Sequence, residues 1–377
     1  MPKKIRIGVD TRDLRLAKTG KKTALEELCR EFRRYPDKDF EFSFFESRVA
    51  GYAGTNKWLL MLEHIRFQWW KQVVLPIKAI RNRCDIVFSA DYFVPLIQIG
   101  FKTVQIYHDA FFYEYPSHYN GYWRFVFKNL AVPAARRSSF VVVPTEYAKE
   151  RIHHYTRIPK EKLVTVYEGP KTLVVGQHTQ GLPGKLRQLE NTKYLLHVGV
   201  MEKRKNLPAL IASFKKLIDE GYSEYKLVLV GESSKKIFSD DYKNVKKAIS
   251  DNGLEDQVIL TGYLPDDELA QVYQHAFIYV FPSVNEGFGI PVLEAFRFGL
   301  PVLVANNSCL PEVGGDAVVG FDPYSVEDMS GKIKKLIDDP VLRNGLVQKG
   351  HERLNQFSWQ KATAQIIDLF KKALHEN

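Results

Sequence analysis

Two successive series of apolar runs, each interleaved with helical patterns, constrain this chain more than any other feature. In the first half, strand-like runs lie at 4–9, 41–45, 84–89, 103–107, 140–143 and 163–167, with helix-like stretches near 22–34, 57–81, 122–137 and 145–155. In the second half the runs lie at 194–198, 226–230, 258–260, 278–281 and 302–304. Helical patterns separate them, as where Leu207, Leu210, Ile211, Phe214 and Leu217 share one face. Alternating β and α units make parallel sheets with helices on both faces. Two series of similar length therefore predict an α/β chain of two doubly wound domains. Gly169, Pro170, Gly176, Gly181, Pro183 and Gly184 cluster between them and place the boundary in 168–192. Sheets of this kind bind ligands beyond the carboxyl ends of their strands, so chemistry is sought directly after each strand.

Composition removes several classes. No run of about 18 apolar residues is present, which argues against a spanning helix. The opening MPKKIRIGVD lacks the apolar core of a signal peptide. Cys29, Cys84 and Cys309 are far apart and odd in number; they fit a reducing cytoplasm better than a disulfide framework or a Cys-rich zinc site. The net charge of +10 is uneven. Residues 1–170 hold 29 Lys and Arg against 18 Asp and Glu, a net +11, while residues 171–377 hold 25 against 26. Only the first half is built to meet something anionic, and nucleic acid, a membrane surface and an anionic substrate all satisfy that.

The stretch from Val280 to Pro323 is the most informative. A buried strand at 278–281 is ended by Pro282 and Ser283. In Glu286-Gly287-Phe288-Gly289 two glycines let the backbone approach a ligand. Pro291 then sits where a helix begins, continued by Val292, Leu293, Ala295 and Phe296. A strand, a Gly-rich loop and a helix N-terminus aim N–H groups and a positive dipole end at an anion, commonly a phosphate. Glu286 and Glu294 bracket that site. A carboxylate repels phosphate and suits hydroxyl donors, such as those of a ribose or a hexose. A nucleotide sugar offers both kinds of group. In a second station, His197-Val198-Gly199 ends a strand and Glu202-Lys203-Arg204-Lys205-Asn206 follows, with Asn206 as the expected N-cap. Arg204 and Lys205 there can neutralise a diphosphate. Gly231-Glu232 and Gly262-Tyr263-Leu264 end two further strands.

The pattern from Glu286 to Ala295, with Gly299, Pro301 and Val302, then Leu310-Pro311-Glu312-Val313 and Gly315-Asp316-Ala317, closely resembles the retaining glycosyltransferase family 4 group. That resemblance implies the GT-B fold, two Rossmann-like doubly wound domains facing a central cleft. It implies an acceptor-binding domain at 1–172, a nucleotide-sugar donor-binding domain at 173–356, and a last helix at 357–377 that crosses back to the first. It also implies metal-independent, front-face transfer from a nucleoside diphosphate sugar, with no cofactor. Glu286 then holds sugar hydroxyls and Glu294 the ribose. Gly287, Phe288, Gly289 and Ile290 serve the donor through their backbone, and Lys205 and Arg204 stabilise the departing diphosphate. Gly20, Gly199, Gly231, Tyr263 and Leu264 complete the implied donor set. Many relatives carry an Arg where this chain has Val200, and Arg204 is the expected substitute.

In the first half His108-Asp109 follows a strand, and with Tyr115-Pro116 it resembles the family's first-domain motif. The resemblance puts His108 near the reaction centre, with Asp109 either orienting its imidazole or capping the next segment. The loop after the first strand carries Arg12, Arg15, Lys18, Lys21 and Lys22 around Gly20, and Lys21 and Lys22 are candidates for phosphate or an anionic acceptor. Thr145 reads as an N-cap. Tyr167-Glu168-Gly169 departs from the Asn-Gly of relatives. Asp37-Lys38-Asp39 reads as a turn, not as a metal site. Over 57–81, Trp58, Leu59, Leu62, Ile65, Trp69 and Val73 alternate with His64, Arg66, Lys71 and Lys78. A helix covering a sheet is the favoured reading and a helix lying on an anionic membrane the other, and both hold if part of the face stays exposed.

The expected activity is transfer of a sugar to a glycan, lipid-linked or other anionic acceptor in cell-surface polysaccharide or glycolipid synthesis. The expected place is the cytoplasm, peripheral to the membrane, with no nucleic acid as partner. Two other readings are a GT-B nucleotide-sugar epimerase, which needs no acceptor, and a basic nucleic-acid-binding protein, whose binding would weaken steeply with salt.

Overall fold

Short apolar runs pair into two six-stranded parallel sheets in the computed structural model, which describes residues 4–15, 20–37, 39–47, 57–173, 181–182, 184–233 and 239–375. Lys18, Lys38, Gly176 and Pro183 lie outside the described residues. The first sheet contains β1 (Ile5–Asp10), β2 (Phe40–Phe45), β3 (Ile86–Ser89), β4 (Lys102–Ile106), β5 (Phe140–Val143) and β6 (Leu163–Thr165), in the order β2-β1-β3-β4-β5-β6. The second contains β7 (Tyr194–Val198), β8 (Lys226–Val230), β9 (Val258–Gly262), β10 (Ile278–Phe281), β11 (Val302–Ala305) and β12 (Val318–Phe321), in the order β12-β11-β10-β7-β8-β9. β3, β5, β10 and β11 are buried along their whole length, which is why they read as unbroken apolar runs. β12 is not announced by the sequence, because Gly320 interrupts its four residues.

The chain forms two compact units, Met1–Glu168 with Trp359–Asn377, and Gly169–Ser358. The last helix, Trp359–His375, packs on the first unit: Lys102 Nζ donates to the Ala373 carbonyl at 2.7 Å, and the Phe370 ring lies 5.7 Å from Phe88. Strand order reverses once in each sheet, between β1 and β3 in the first and between β7 and β10 in the second. A ligand crevice in such a sheet opens beyond the carboxyl ends of the strands at that point.

The helical stretches expected at 57–81 and 122–137 are present, and one reading of the first is corrected. Within them π turns at Trp70–Val74 and Phe127–Ala131 interrupt the α-helical hydrogen bonding, with the Leu75 N–H on the Trp70 carbonyl and the Val132 N–H on the Phe127 carbonyl. Pro76 and Pro133 follow these turns. A proline lacks the N–H an α-turn needs and presses on the carbonyl four residues back, and the wider turn relieves both. The correction concerns Lys57–Trp69, whose stripe of Trp58, Leu59, Leu62, Ile65 and Trp69 is not core. Trp58 is 73% exposed, Ile65 53% and Trp69 61%. Covering the sheet uses only the other side, where Phe67 packs on Phe93 and where Trp70, Leu75 and Ala79 are buried. No described helix is long and apolar enough to cross a membrane. All three cysteines are free and buried.

Candidate active site

In the second unit the site grows from the two strands at the reversal point. After β7 the chain passes Gly199 and turns through the short helix Lys203–Lys205, which brings Arg204 and Lys205 back beside the end of β10. The Val284 N–H donates to the Arg204 carbonyl at 2.8 Å and Arg204 Nη1 to the Asn285 carbonyl at 3.2 Å, so the two loops are stitched together. Glu286 is the meeting point. Its Oε2 lies 2.6 Å from Arg204 Nη1 and its Oε1 2.6 Å from Lys205 Nζ. Burial pushes the Glu286 carboxyl up, but Arg204 and Lys205 outweigh it and hold it at about 2. Burial lowers Lys205 despite the Glu286 carboxylate. Glu202 accepts from Arg204 Nε at 3.0 Å and fixes the guanidinium plane. Asn206 stands at the N-cap position of the helix Leu207–Asp219 as expected, but in a left-handed conformation (φ 55°) and without a side-chain capping bond: its Nδ2 donates instead to the Pro323 carbonyl at 2.7 Å, tying the turn to the loop after β12.

The helix Ile290–Arg297 starts on Gly289, at φ 104°, with Pro291 in its first turn. The left-handed Gly289 swings the chain so that the N–H groups of the first turn open toward the strand ends. Phe288 is buried, and its carbonyl accepts from Cys309 Sγ at 3.0 Å. Gly231 has no room for another residue, since a Cβ there would stand 2.0 Å from the Gly199 carbonyl oxygen. Its N–H donates to the Gly262 carbonyl at 2.9 Å and the Gly199 N–H to the Val230 carbonyl at 2.9 Å, and the two bonds tie the ends of β7, β8 and β9 together. Tyr263 is exposed and Leu264 half-buried just beyond this tie. Glu294 sits one helix turn further in. It is buried and accepts from the Tyr273 hydroxyl at 2.7 Å, and burial lifts its carboxyl to about 7 against that hydrogen bond. Tyr273 has no motif to reveal it; only its place on the neighbouring helix Asp266–His275 matters.

In the first unit His108 follows β4 and is buried between two acceptors. Its Nδ1 lies 3.3 Å from Glu168 Oε1 and its Nε2 3.4 Å from the Ala90 carbonyl. Asp109 does not orient this ring. It accepts from the Phe111 N–H at 3.0 Å and so takes the capping role. The orienting carboxylate is Glu168, at the point where the sequence departs from Asn-Gly, and that departure was the available signal. At the reversal point of this sheet stands a second buried group. Lys71 Nζ, on the π turn, lies 2.7 Å from Asp10 Oδ2 and 3.2 Å from Asp91 Oδ2, and donates to Ser89 Oγ at 3.0 Å. Burial pushes this ammonium down, but Asp10 and Asp91 prevail and raise it. Asp10 ends β1 and Asp91 follows β3 by two residues, so the strand-end rule could have found them; Lys71 carries no such signal. Lys21 Nζ lies 3.6 Å from the centroid of Tyr92; burial pushes the Asp91 carboxyl up, but Lys71, and after it Lys21, hold it down. Lys22 pairs with Glu26 along the helix Gly20–Arg34 and is not gathered with them; Gly20 opens that helix in an exposed position. Thr145 caps the helix Glu146–Thr156 through Ala148.

Comparisons with known proteins agree with this layout. Residues 179–353 match the family described as glycosyl transferases group 1, and residues 24–172 match glycosyltransferase family 4. The chain is similar to the O-antigen chain mannosyltransferase B of Escherichia coli, 28% identical over 313 residues that cover 82% of this chain and 78% of that one. It is also similar to the serotype-specific mannosyltransferase WbdA of Escherichia coli, 28% identical over 312 residues, but spans only 37% of that longer protein. Among solved structures, sucrose-phosphate synthase from Thermosynechococcus elongatus superposes with a TM-score of 0.76 at 16% identity, covering 99% of this chain and 100% of that one. Anabaena HepE in complex with UDP-glucose superposes with a TM-score of 0.71 at 19% identity, covering 98% and 100%. These likenesses show the fold, which is GT-B.

Proposed function

We propose that this chain, which belongs to the group 1, family 4 glycosyltransferases, moves a hexosyl group from a nucleoside diphosphate sugar to a glycan, lipid-linked or other anionic acceptor, with retention at the anomeric carbon. One observation carries the reading: Glu286 is bound by Arg204 and Lys205 together, beside the start of the helix Ile290–Arg297. A diphosphate competes with the carboxylate for both cations and is drawn to the helix N-terminus. Glu286 is then released to sugar hydroxyls, while Gly287, Phe288, Gly289 and Ile290 serve the phosphates through their backbone and Glu294 serves the ribose. Arg204 and Lys205, rather than a metal ion, offset the charge of the departing diphosphate. The bond from the anomeric carbon to the diphosphate breaks on the face where the acceptor oxygen bonds, and the acceptor proton passes to the departing phosphate. His108, held by Glu168, serves the donor sugar, and Lys21 the acceptor. The reading places the enzyme in the cytoplasm, at the membrane that bears its acceptor.

The mannosyltransferase relatives put mannosyl donors first among the substrates to try, followed by the UDP-glucose that HepE binds. The test is a panel of UDP-, GDP-, ADP- and dTDP-sugars scored by thermal stabilisation and slow hydrolysis. One base–sugar pair is expected to stabilise the protein and to be hydrolysed, and Glu286→Ala to abolish hydrolysis. Full turnover by that variant would overturn the reading; conversion of the donor to its epimer without acceptor would assign an epimerase instead.

A further inference from the structure

We infer that the first unit docks on an anionic lipid surface through one exposed face, built from the helix Lys57–Trp69, its continuation Leu75–Arg81 and the adjoining helix Gly121–Val126.

The first support is where the apolar surface lies. At about 100° per residue, Trp58, Leu62, Ile65 and Trp69 fall within about 60° of one another on their helix. All four are exposed. Beyond the π turn Ile77 and Ile80 are exposed as well. A π turn holds about one extra residue, and it delays the helix phase enough to keep Ile77 in line with Trp69. The helix Gly121–Val126 lies alongside, with the Trp123 ring 4.8 Å from His64, and presents Phe125 at 67% exposure. Gln72 accepts from the Leu96 N–H at 2.9 Å and so holds the segment that bears the exposed Ile97 and Ile99. Among the described residues of the second unit, exposed large apolar ones are few and scattered along the chain: Tyr263, Tyr324 and Val341. An apolar face of this extent marks an interaction site, and tryptophans along it suit the boundary between headgroups and acyl chains.

The second support is charge. From residue 57 to 84 the chain has one acidic residue, Glu63, and it is buried against Arg12 at 2.6 Å. From 121 to 137 it has none. Arg66, Arg81, Arg83, Arg124 and Lys128 are exposed on these segments. A second copy of the chain would bring the same cations against themselves, and a nucleic acid backbone has no use for the Ile and Trp stripe. An anionic bilayer satisfies both, with lipid headgroups for the arginines and the acyl boundary for the apolar stripe. Each such cation strengthens partition to an anionic surface about fivefold. The inference rests on the glycosyl-transfer reading only for its consequence, that the acceptor is met at the membrane.

The test is sedimentation of the full chain with vesicles of phosphatidylcholine alone and with about a third phosphatidylglycerol, at low and high salt. The expected result is at least about tenfold stronger binding to the anionic vesicles, weakened by salt. Leu62→Ser/Ile65→Ser/Trp69→Ser is expected to lose at least about tenfold in binding, and Arg66→Gln/Arg124→Gln/Lys128→Gln to lose the preference for anionic lipid. Both variants should keep the wild-type melting temperature and donor hydrolysis, because these side chains are in water and outside the proposed catalytic set. Absence of wild-type binding, or equal binding by the first variant, overturns the inference. So does a concentration-dependent dimer that the first variant abolishes, since that would assign the face to a second copy. Donor hydrolysis without vesicles reads the transfer proposal separately, so either can fail while the other stands.

Discussion

Glu286 and Lys205, 81 positions apart in the chain, meet at 2.6 Å in a buried ion pair that Arg204 completes from the other carboxylate oxygen. Glu286 and Glu202 together balance Arg204 and Lys205, so a diphosphate that displaces the Glu286 carboxylate meets two cations and the start of a helix.

The pair makes a competition that can be measured. Glu286→Gln keeps the shape and removes the negative charge. A nucleoside diphosphate should then bind at least as tightly as to the wild type, while glycosyl transfer falls by about a hundredfold or more. Calorimetric titration and initial rates read the two quantities separately. Weaker diphosphate binding by the variant would contradict the competition.

Glu286 and Glu294 titrate in opposite directions, and stability follows. Glu286 is held at about 2, so its contribution is present above the ordinary carboxyl range near pH 4.3 and is lost as pH falls toward 2. Glu294 is raised to about 7, so its contribution is full below about pH 4 and is lost as pH rises through 7, on the order of 3 kcal/mol. Glu294→Gln cannot ionise. Its melting temperature relative to wild type should climb by several degrees between pH 5 and pH 8. Parallel melting curves across that range would refute the assignment.

Glu168 acts through His108. Glu168→Ala should lower kcat by about tenfold to a hundredfold with a smaller change in donor KM, because a loosened imidazole is misplaced rather than removed. Glu168→Gln, whose amide oxygen still accepts from Nδ1–H, should retain most of the rate. Equal losses in the two variants would mean that orientation is not what Glu168 supplies.

Lys71 neutralises Asp10 and Asp91 where water does not reach. Lys71→Met leaves Asp10 without its ammonium partner and Asp91 with only the more distant Lys21, and should cost about 3–5 kcal/mol, read from urea unfolding. A loss below about 1 kcal/mol would show that these charges are solvated.

The donor loop was legible because it is local. Glu286, Gly289, Pro291 and Glu294 lie within nine residues, and their order alone implies a strand, an anion-binding turn and a helix. The same locality explains Thr145 as a cap. Roles that depend on distant partners were not legible. The helix 57–81 shows the difference: its pattern is apolar nearly all round, so periodicity could not tell which side meets the sheet, and Trp58, Ile65 and Trp69 turned out to face water.

By itself, then, the sequence determined what neighbouring residues determine: the alternation of strands and helices, the parallel sheets, the loop that starts at Glu286, and the excess of positive charge in the first half. Tertiary structure decided which side chains are partners. It put Arg204 and Lys205 on Glu286, Tyr273 on Glu294, Glu168 rather than Asp109 on His108, and Lys71 between Asp10 and Asp91. The physical reason is that hydrogen bonds and ion pairs act over about 3 Å, and only the closing of each sheet brings residues so far apart in the chain within that reach.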